Sequence, residues 1–289
     1  MKLAGRHALI TGASRGLGAE IALRYAEAGA SLMLCARNAN ELAEQEARLQ
    51  PSLASGARLV TVVCDVAEPA QVDALFARLR TEFPRLDILV NNAGIYGPMG
   101  RIEDIDWQQW IAAVNINLFG LVYVCRCAMP LFRAQRHGKI INLSGGGATS
   151  PMPAITAYAA SKAAVVRFTE SLALECGADG IDVNAIAPGA LMTRMMDQLL
   201  EAGPGKVGQR HYDRMAQIAK EGGTPLAIAA GLCVFLGSAE SDGITGKLIA
   251  AQWDRWEDWP DHLDELTSSD LYTLRRITGR DRNKPWGDR

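Results

Sequence analysis

The sequence predicts an α/β fold in which a doubly wound, seven-stranded parallel sheet has helices on both faces. Seven short apolar runs recur along the chain, and the segments between them often have apolar residues three and four positions apart. The first run leads directly into a glycine-rich turn at the start of a helical segment. Near-continuous apolar strands that alternate with amphipathic helices are typical of a parallel sheet covered on both faces.

The predicted strands are short and strongly apolar. In chain order they read HALIT from His7, SLMLCA from Ser31, RLVTVVC from Arg58, LDILVN from Leu86, GKIINLS from Gly138, IDVNAIAP from Ile181 and GKLIAA from Gly246. The segments between them, such as LGAEIALRYAEAG and AQVDALFARLRTEF, have one apolar face and end at or just before glycine or proline. Because no repeat or low-complexity linker interrupts this alternation, residues 1–251 are expected to form one domain.

Composition excludes several functional classes. The 289 residues are 48% hydrophobic, so the chain can bury a large core. A formal charge of −2 provides no basic surface for nucleic acid. No apolar run approaches the ~18 to 20 residues of a membrane helix, and the first residues lack a signal-peptide pattern. The scattered cysteines and histidines favour neither disulfides nor a metal site, and we expect a cytoplasmic protein.

Residues 190–223 depart from the regular alternation. They form a polar, glycine-interrupted insertion before the last apolar helix, as is typical of a mobile lid over a ligand. Four of its side chains, Arg194, Arg210, His211 and Arg214, are compatible with binding an anionic group of a substrate.

Residues 252–289 form an atypical tryptophan-rich extension. Trp253, Trp256 and Trp259 recur at intervals of three and would share one face of a helix, which favours packing on the core or on a subunit over substrate stacking. Acidic residues dominate 253–270 and basic residues dominate 271–289. These two segments are therefore expected to fold back on each other or to dock on a neighbour.

The glycine-rich turn reads TGASRGLG and places Gly12, Gly16 and Gly18 at the start of a helix. A dinucleotide pyrophosphate needs backbone N–H groups at close range and the positive end of a helix, and glycine permits that approach. The turn therefore predicts a Rossmann-like dinucleotide site.

Four further motifs follow the glycine turn in a fixed order. They are NNAG at 91–94, NLFG at 117–120, YAASK at 158–162 and PGALMT at 188–193. Each is weak alone, but the five together resemble the short-chain dehydrogenase/reductase family in its single-domain form over residues 4–250. The resemblance implies an oxidoreductase that binds a nicotinamide cofactor and a small-molecule substrate, and it also implies a homo-oligomer, a dimer or a tetramer.

The resemblance implies roles for three residues. Tyr158 matches the residue that gives its phenolic proton to a carbonyl oxygen as hydride arrives, or takes it back in oxidation. A free phenol, with a pKa of ~10, is poorly suited to this near neutrality. Lys162 lies one helical turn further on, where its ammonium can lower the tyrosine pKa and bind the nicotinamide ribose. Asn117 matches the asparagine that holds a water in the proton relay, with Asn115 as the alternative.

The residues after the second predicted strand indicate NADP. A carboxylate there would bind the adenosine ribose and repel a 2′-phosphate. The sequence has Ala36 at that place, with Arg37 next to it and Arg15 in the glycine loop. Two guanidinium groups and no acid favour NADP over NAD.

The remaining cofactor contacts come from the resemblance. They comprise the loop residues Ser14 and Leu17, the adenine-contacting pair Asp65 and Val66, the strand-end residues Asn91, Ala93 and Gly94, and the carboxamide-binding Pro188, Gly189 and Thr193.

One expected side chain is missing. The family serine that hydrogen-bonds the substrate carbonyl stands thirteen residues before the tyrosine, which gives Gly145, and Ser144 is one position short. Successive strand residues face opposite sides, so Ser144 would normally point away. Either the glycines of 145–147 let the chain twist so that Ser144 turns inward, or Thr149 or Ser150 returns over the site, or a glycine N–H replaces the hydroxyl. We favour Ser144 or a backbone donor.

These observations predict an NADP-dependent enzyme that interconverts a ketone and a secondary alcohol. The substrate is either of the 3-oxoacyl type or a sugar or other polar metabolite. The alternative is a non-catalytic NADP-binding regulatory or assembly protein, which the missing serine and the unusual C-terminal segment would suit.

Overall fold

The computed structural model describes residues 1–284 and 286, and within them lies a parallel sheet of seven strands. The strands are β1 (His7–Thr11), β2 (Ser31–Ala36), β3 (Leu59–Val63), β4 (Ile88–Asn91), β5 (Gly138–Leu143), β6 (Ile181–Ala187) and β7 (Leu248–Ala250). Their order across the sheet is β3-β2-β1-β4-β5-β6-β7. The predicted doubly wound sheet is confirmed, and every strand begins within two residues of its predicted start.

Helices connect the strands on both faces. They are α1 (Gly16–Glu27), α2 (Ala39–Leu49), α3 (Pro69–Glu82), α4 (Trp107–Val114), α5 (Leu121–Gln135), α6 (Thr156–Glu175), α7 (Arg194–Ala202), α8 (Pro204–Val207), α9 (Gln209–Lys220), α10 (Leu226–Gly237) and α11 (Leu263–Ser268). A π-helical turn, Asn115–Gly120, joins α4 to α5, and short 3₁₀ turns cover Gln50–Ser52, Gly146–Ala148, Ala239–Ser241, Trp256–His262 and Arg280–Arg282.

Two apolar cores lie on opposite faces of the sheet, because successive strand residues alternate between the faces. Ile10 of β1 packs with Tyr25 of α1 on one face, and Leu9 packs with Phe76 of α3 on the other. The Tyr25 hydroxyl donates to the carbonyl of Cys233, 2.7 Å away, and so joins α1 to α10. The chain order reverses between β1 and β4, and ligands of open α/β sheets bind at such a switch point.

One helix among the described residues is long and apolar enough to cross a membrane by length and composition. It is the continuous span Trp107–Gln135, with a mean hydropathy of 1.6 in its most apolar window. The sequence alone did not indicate such a span. Its inner side packs on the sheet through Val124 and Phe132, and core helices of folded proteins pass the same test, so the finding is weak support for a membrane role.

The C-terminal segment packs on the core and along the edge strand β7. Trp259 is 4% exposed and joins the core that contains β1, whereas Trp253 is 77% exposed. Trp256 and Trp259 share a face because the 3₁₀ turn that holds them has three residues per turn. Trp253 precedes that turn, so the expectation of three tryptophans on one helical face was wrong.

Further along, the segment is held by hydrogen bonds and ion pairs. The carbonyl of Tyr272 accepts from the Leu248 N–H of β7 at 2.8 Å. Arg275 pairs with Asp270 at 2.7 Å and with Asp281 at 2.8 Å, which links the acidic and basic parts of the extension. Pro285 and residues 287–289 of the predicted extension lie outside the described residues.

Trp259→Ala is expected to lower the free energy of unfolding by about 3 kcal/mol, because it leaves a large cavity beside the core. Trp253→Ala is the matched control and should change stability by less than ~0.5 kcal/mol, since its ring is exposed. Chemical denaturation of both variants measures the difference. Equal losses in the two would show that the extension does not contribute to the core.

Candidate active site

The glycine turn is packed too tightly for side chains. A Cβ on Gly12, which has φ +63°, would lie 2.8 Å from the Cα of Ala93, and one on Gly18 would lie 2.3 Å from the Gly12 carbonyl oxygen. Gly16 has φ +56°, a left-handed conformation that favours glycine. The turn therefore presents bare backbone at the start of α1, as a pyrophosphate-binding loop requires.

Asn92 ties the end of β4 to this turn. Its amide nitrogen donates to the carbonyls of Thr11 and Gly12, both at 3.0 Å, and the N–H of Ala93 donates to the Thr11 hydroxyl at 3.1 Å. Neither Asn92 nor Thr11 is among the residues predicted from the sequence, although the second asparagine of NNAG was the available signal. Gly94 lies in the same strand-end loop.

The neighbouring Asn91 points elsewhere. Its amide is buried and donates to Asn142 at 2.9 Å and towards the Cys125 sulfur at 3.2 Å. A cofactor contact through this side chain therefore has no support in the geometry, and an Asn91 contact through its backbone stays a prediction.

Each predicted phosphate-binding arginine faces a carboxylate. Arg15 pairs with Glu41 of α2 at 2.8 Å, and the Ser14 hydroxyl donates to the other oxygen of the same carboxylate at 2.9 Å. Arg37 lies 3.7 Å from Asp65. No acid follows β2 directly in the sequence, and Glu41, which the first turn of α2 brings to the glycine loop, was not predicted.

The other predicted cofactor residues surround the same edge of the sheet. Val66 lies against Gly120, since a Cβ on Gly120 would be 2.7 Å from the Val66 carbonyl oxygen. The Leu17 side chain is buried in the core. A Cβ on Gly16 would lie 3.4 Å from the Thr193 methyl group, so Thr193 sits beside the glycine loop. Gly189, which follows Pro188, has φ +95° and passes close to Thr224.

Asn117 is fully buried in the π-helical turn. Its side-chain oxygen accepts from the Ile95 N–H at 2.8 Å, and its nitrogen donates to the Ile95 carbonyl at 2.8 Å and to the Ser161 hydroxyl at 3.0 Å. These bonds fix the loop after β4 against α6. Such π turns are frequent at functional sites because they leave backbone groups free of the regular helical pattern.

Lys162 lies on α6, one turn beyond Tyr158, and is buried. Its ammonium donates to the Leu143 carbonyl at 2.6 Å and lies 5.7 Å from the centre of the Tyr158 ring. Burial lowers the pKa of Lys162 from its ordinary 10.5 to about 8. A Cβ on Gly94 would meet both Asn117 Oδ1, at 3.2 Å, and Lys162 Nζ, at 3.5 Å, so these two polar groups flank one bare backbone position.

The Tyr158 hydroxyl lies directly over Gly145. A Cβ on Gly145 would be 2.4 Å from Tyr158 Oη, so the tyrosine hydroxyl fills the space that a side chain there would need. The ring of Tyr96 packs edge-on against Tyr158 with centroids 4.9 Å apart. Burial, with a smaller effect of Tyr96, raises the pKa of Tyr158 well above its ordinary range.

Ser144 is buried with its hydroxyl turned to α6, where it donates to the Lys162 carbonyl at 3.1 Å. Thr149 and Ser150 follow the 3₁₀ turn Gly146–Ala148, and neither hydroxyl has a hydrogen bond within the described residues. The hydroxyl of Ser144, which was predicted to be catalytic, is therefore already hydrogen-bonded to the backbone of α6. Which group faces a substrate oxygen stays a prediction.

The insertion 190–223 folds as α7, α8 and α9 and covers Tyr158 with apolar side chains. Its buried members are Met196, Leu199, Val207 and Met215, which pack with Ile155, and Tyr158 lies against them. No group of three or more His, Cys, Asp or Glu side chains placed to hold a metal occurs in the described part of the chain.

Comparison with known proteins gives one family. The sequence profile described as short chain dehydrogenase matches residues 6–203. The (2S)-[(R)-hydroxy(phenyl)methyl]succinyl-CoA dehydrogenase subunit BbsD of Thauera aromatica is 34% identical over 86% of this chain and 96% of its own. The crystal structure of levodione reductase, 28% identical, covers 90% of this chain and 99% of its own with a TM-score of 0.79. An NAD⁺-bound xylitol dehydrogenase, 26% identical, covers 86% and 98% with the same score.

Proposed function

Because the chain belongs to the short-chain dehydrogenase/reductase family, whose members are oxidoreductases that bind a nicotinamide cofactor, we propose that it interconverts a ketone and a secondary alcohol with NADP(H), with Tyr158 as general acid and base. The observation that carries the proposal is the arrangement of Tyr158, Lys162 and Asn117 at the switch point of the sheet. The cradle of bare glycine backbone beside it fits a dinucleotide.

The cofactor supplies the hydride, and the chain's residues manage the proton. In reduction the Tyr158 hydroxyl gives its proton to the carbonyl oxygen while hydride adds to the carbonyl carbon, and in oxidation both return. The phenol is a weak acid in its buried site, so the tyrosinate needs a nearby positive charge. Lys162 supplies it, and we propose that Asn117 helps to hold the water that returns the proton.

The substrate oxygen needs a donor besides Tyr158. The Ser144 hydroxyl bonds to the Lys162 carbonyl, and Gly145 has no side chain. We propose that Ser144 positions Lys162 and that an N–H of the 145–147 backbone donates to the oxygen, as backbone groups do in oxyanion sites.

Activity measurements test the proposal directly. Purified protein with NADPH and a broad panel of ketones is expected to oxidise the cofactor at a rate that depends on ketone concentration. Cofactor binding without turnover on any ketone or secondary alcohol would instead support a non-catalytic NADP-binding protein, the second candidate, which the absence of a side chain at position 145 favours.

The proposed preference for NADP depends on Arg15 and Arg37. Arg37→Ala is expected to weaken NADPH binding roughly 10- to 100-fold, because a charge-assisted bond to the 2′-phosphate is lost, while NADH binding stays within about 2-fold. Glu41→Gln should strengthen NADPH binding, since it frees Arg15 from a competing carboxylate. Fluorescence titration with both cofactors measures these changes.

Arg48→Ala is the matched control, because Arg48 is exposed near the other end of α2. It should alter neither affinity. If wild-type protein binds NADH as tightly as NADPH, or if Arg37→Ala weakens both equally, the NADP preference is wrong.

The lowered pKa of Lys162 gives a pH dependence. The ammonium is present below a pH of about 8 and is lost above it in the free protein. We therefore expect kcat/KM for ketone reduction to fall as the pH rises through about 8, since a neutral amine no longer favours the tyrosinate. Steady-state rates across the alkaline range test this. A flat profile there would show that Lys162 need not be charged.

The assembly and cellular location remain predictions from the sequence. We propose a homo-oligomer, a dimer or a tetramer, in the cytoplasm. Light scattering on the purified full-length chain measures the mass of the particle, and a monomer at micromolar concentration would contradict the first part.

A further inference from the structure

Tyr158 packs in a cluster of apolar side chains that come from several separate segments. Tyr96 and Met99 come from the loop after β4, Met152 comes from the loop after β5, and the lid helices α7 and α9 contribute Met196 and Met215. The carboxyl ends of neighbouring strands meet here, so a substrate that reaches Tyr158 must contact these side chains.

The charged residues of the lid lie on its outer side. Arg194, Arg210 and Arg214 are exposed. In the described part of the chain the arginines proposed from the sequence as a handle for an anion are therefore solvent-exposed and are not among the apolar side chains that pack with Tyr158.

Methionine makes this enclosure adaptable. Four methionine side chains belong to the same apolar cluster as Tyr158, and their unbranched, polarisable chains can repack around ligands of different shape. A substrate that enters must replace their mutual contacts with its own. An apolar group can make these contacts without losing hydrogen bonds to water. A carboxylate or a row of hydroxyls would lose its bound water without gaining hydrogen-bond partners from the apolar side chains.

From these contacts we infer that the site takes an uncharged ketone, or the matching secondary alcohol, with a bulky apolar or aromatic body. The inference rests on the proposed function and narrows it, because it excludes sugars and carboxylate-bearing or phosphate-bearing substrates from this site.

The histidine of the insertion, His211, is partly buried. Its Nε2 atom is buried without a hydrogen-bond partner among the described residues, and it lies one helical turn before Met215 on α9. Burial and the nearby Arg214 lower the pKa of His211, so the imidazole is neutral near pH 7. A neutral ring can donate or accept one hydrogen bond, and it adds no charge to the buried side of α9.

Two ketones of nearly the same shape test the inference. The ligands are para-isopropylacetophenone and para-acetylbenzoate, which differ in replacing an isopropyl group by a carboxylate. They are titrated calorimetrically into the Tyr158→Phe variant loaded with NADP⁺, in which the chemical step is blocked. We expect the isopropyl compound to bind roughly 30-fold or more tightly than the carboxylate, because the latter loses its hydration in an apolar site.

Equal affinities, tighter binding of the carboxylate, or no binding of either ketone would overturn the inference. Binding here is independent of turnover, so a failure of the proposed function, seen as an inactive wild-type protein, is distinguishable. The double variant Arg194→Ala/Arg210→Ala is the control for the lid cations. Its affinity for para-acetylbenzoate should match that of the Tyr158→Phe variant with both arginines present. A loss of about 5-fold or more would show that these arginines bind the carboxylate.

Discussion

Tyr158→Phe is expected to lower kcat by about 10³- to 10⁵-fold, because it removes both the proton that moves and a hydrogen bond to the reacting oxygen. The phenyl ring keeps its contacts with Tyr96 and the lid, so the fold and the cofactor site should be unchanged. Rates with saturating ketone and NADPH measure the loss. Cofactor affinity, measured separately, should stay within about 3-fold, as expected for a group that acts mainly in the transition state.

Tyr123→Phe provides the matched control. Tyr123 lies on α5, and its hydroxyl donates to Asp73 of α3 at 3.0 Å in a bond at the protein surface that includes none of the proposed site residues. Removing that hydroxyl should leave kcat unchanged. If Tyr158→Phe retained a rate close to that of the wild type, another group would have to supply the proton and the proposed mechanism would fail.

The sheet could be predicted from the sequence because its signals are local. Each strand is a run of apolar residues, and its boundaries follow from the turn residues beside it. The fold class and all seven strands were confirmed on that basis. The edge strand β7 was also found, although its partner on the outer side, the backbone of Tyr272, lies in a segment with no strand pattern.

The environment of the cofactor arginines could not be predicted in the same way. Glu41 is 26 residues from Arg15, and only the packing of α2 beside the glycine loop brings them together. An acid at the end of β2 was the expected signal for NAD, and its absence favoured NADP. The structure shows that a carboxylate can reach this place from the next helix, so the sequence position alone does not fix the local charge.

The buried face of the lid, residues 190–223, could not be predicted from its sequence either. Its sequence is polar overall, and its arginines and histidine are compatible with binding an anionic group of a substrate. In the structure the apolar side chains at Met196, Leu199 and Met215 face the site while the arginines are exposed. These helices are amphipathic, so their average composition describes the surface and not the buried face that a substrate would meet.

The missing serine could be located from the sequence but not explained by it. Counting from the tyrosine identified Gly145, and the alternation of strand residues indicated that Ser144 would point away. The structure places the Ser144 hydroxyl on the Lys162 carbonyl of α6, and whether Ser144 or a backbone N–H faces the substrate stays a prediction. The position of the Tyr158 hydroxyl over Gly145 depends on how α6 packs on the strand end, which no local pattern encodes.

Gly145→Ala is expected to lower kcat by roughly 10²- to 10³-fold, since a methyl group 2.4 Å from the Tyr158 oxygen would displace the proton donor. The backbone itself should tolerate the change, because φ of 169° at Gly145 is an extended conformation open to any residue. Thermal unfolding should therefore shift little while the rate falls. An alanine variant with wild-type kcat would show that the tyrosine can work from another position.

Gly145→Ser separates the two consequences of a side chain at this position. It adds the same Cβ as alanine and also a hydroxyl that can donate to the substrate oxygen, so it should be faster than Gly145→Ala by about 10-fold while remaining slower than the wild type. The order wild type, Gly145→Ser, Gly145→Ala in decreasing kcat would mean that the site works best with a backbone donor and with the Tyr158 hydroxyl in the space over Gly145. A serine variant faster than the wild type would instead show that the chain lacks a donor, and that no N–H of the glycine run replaces the missing hydroxyl.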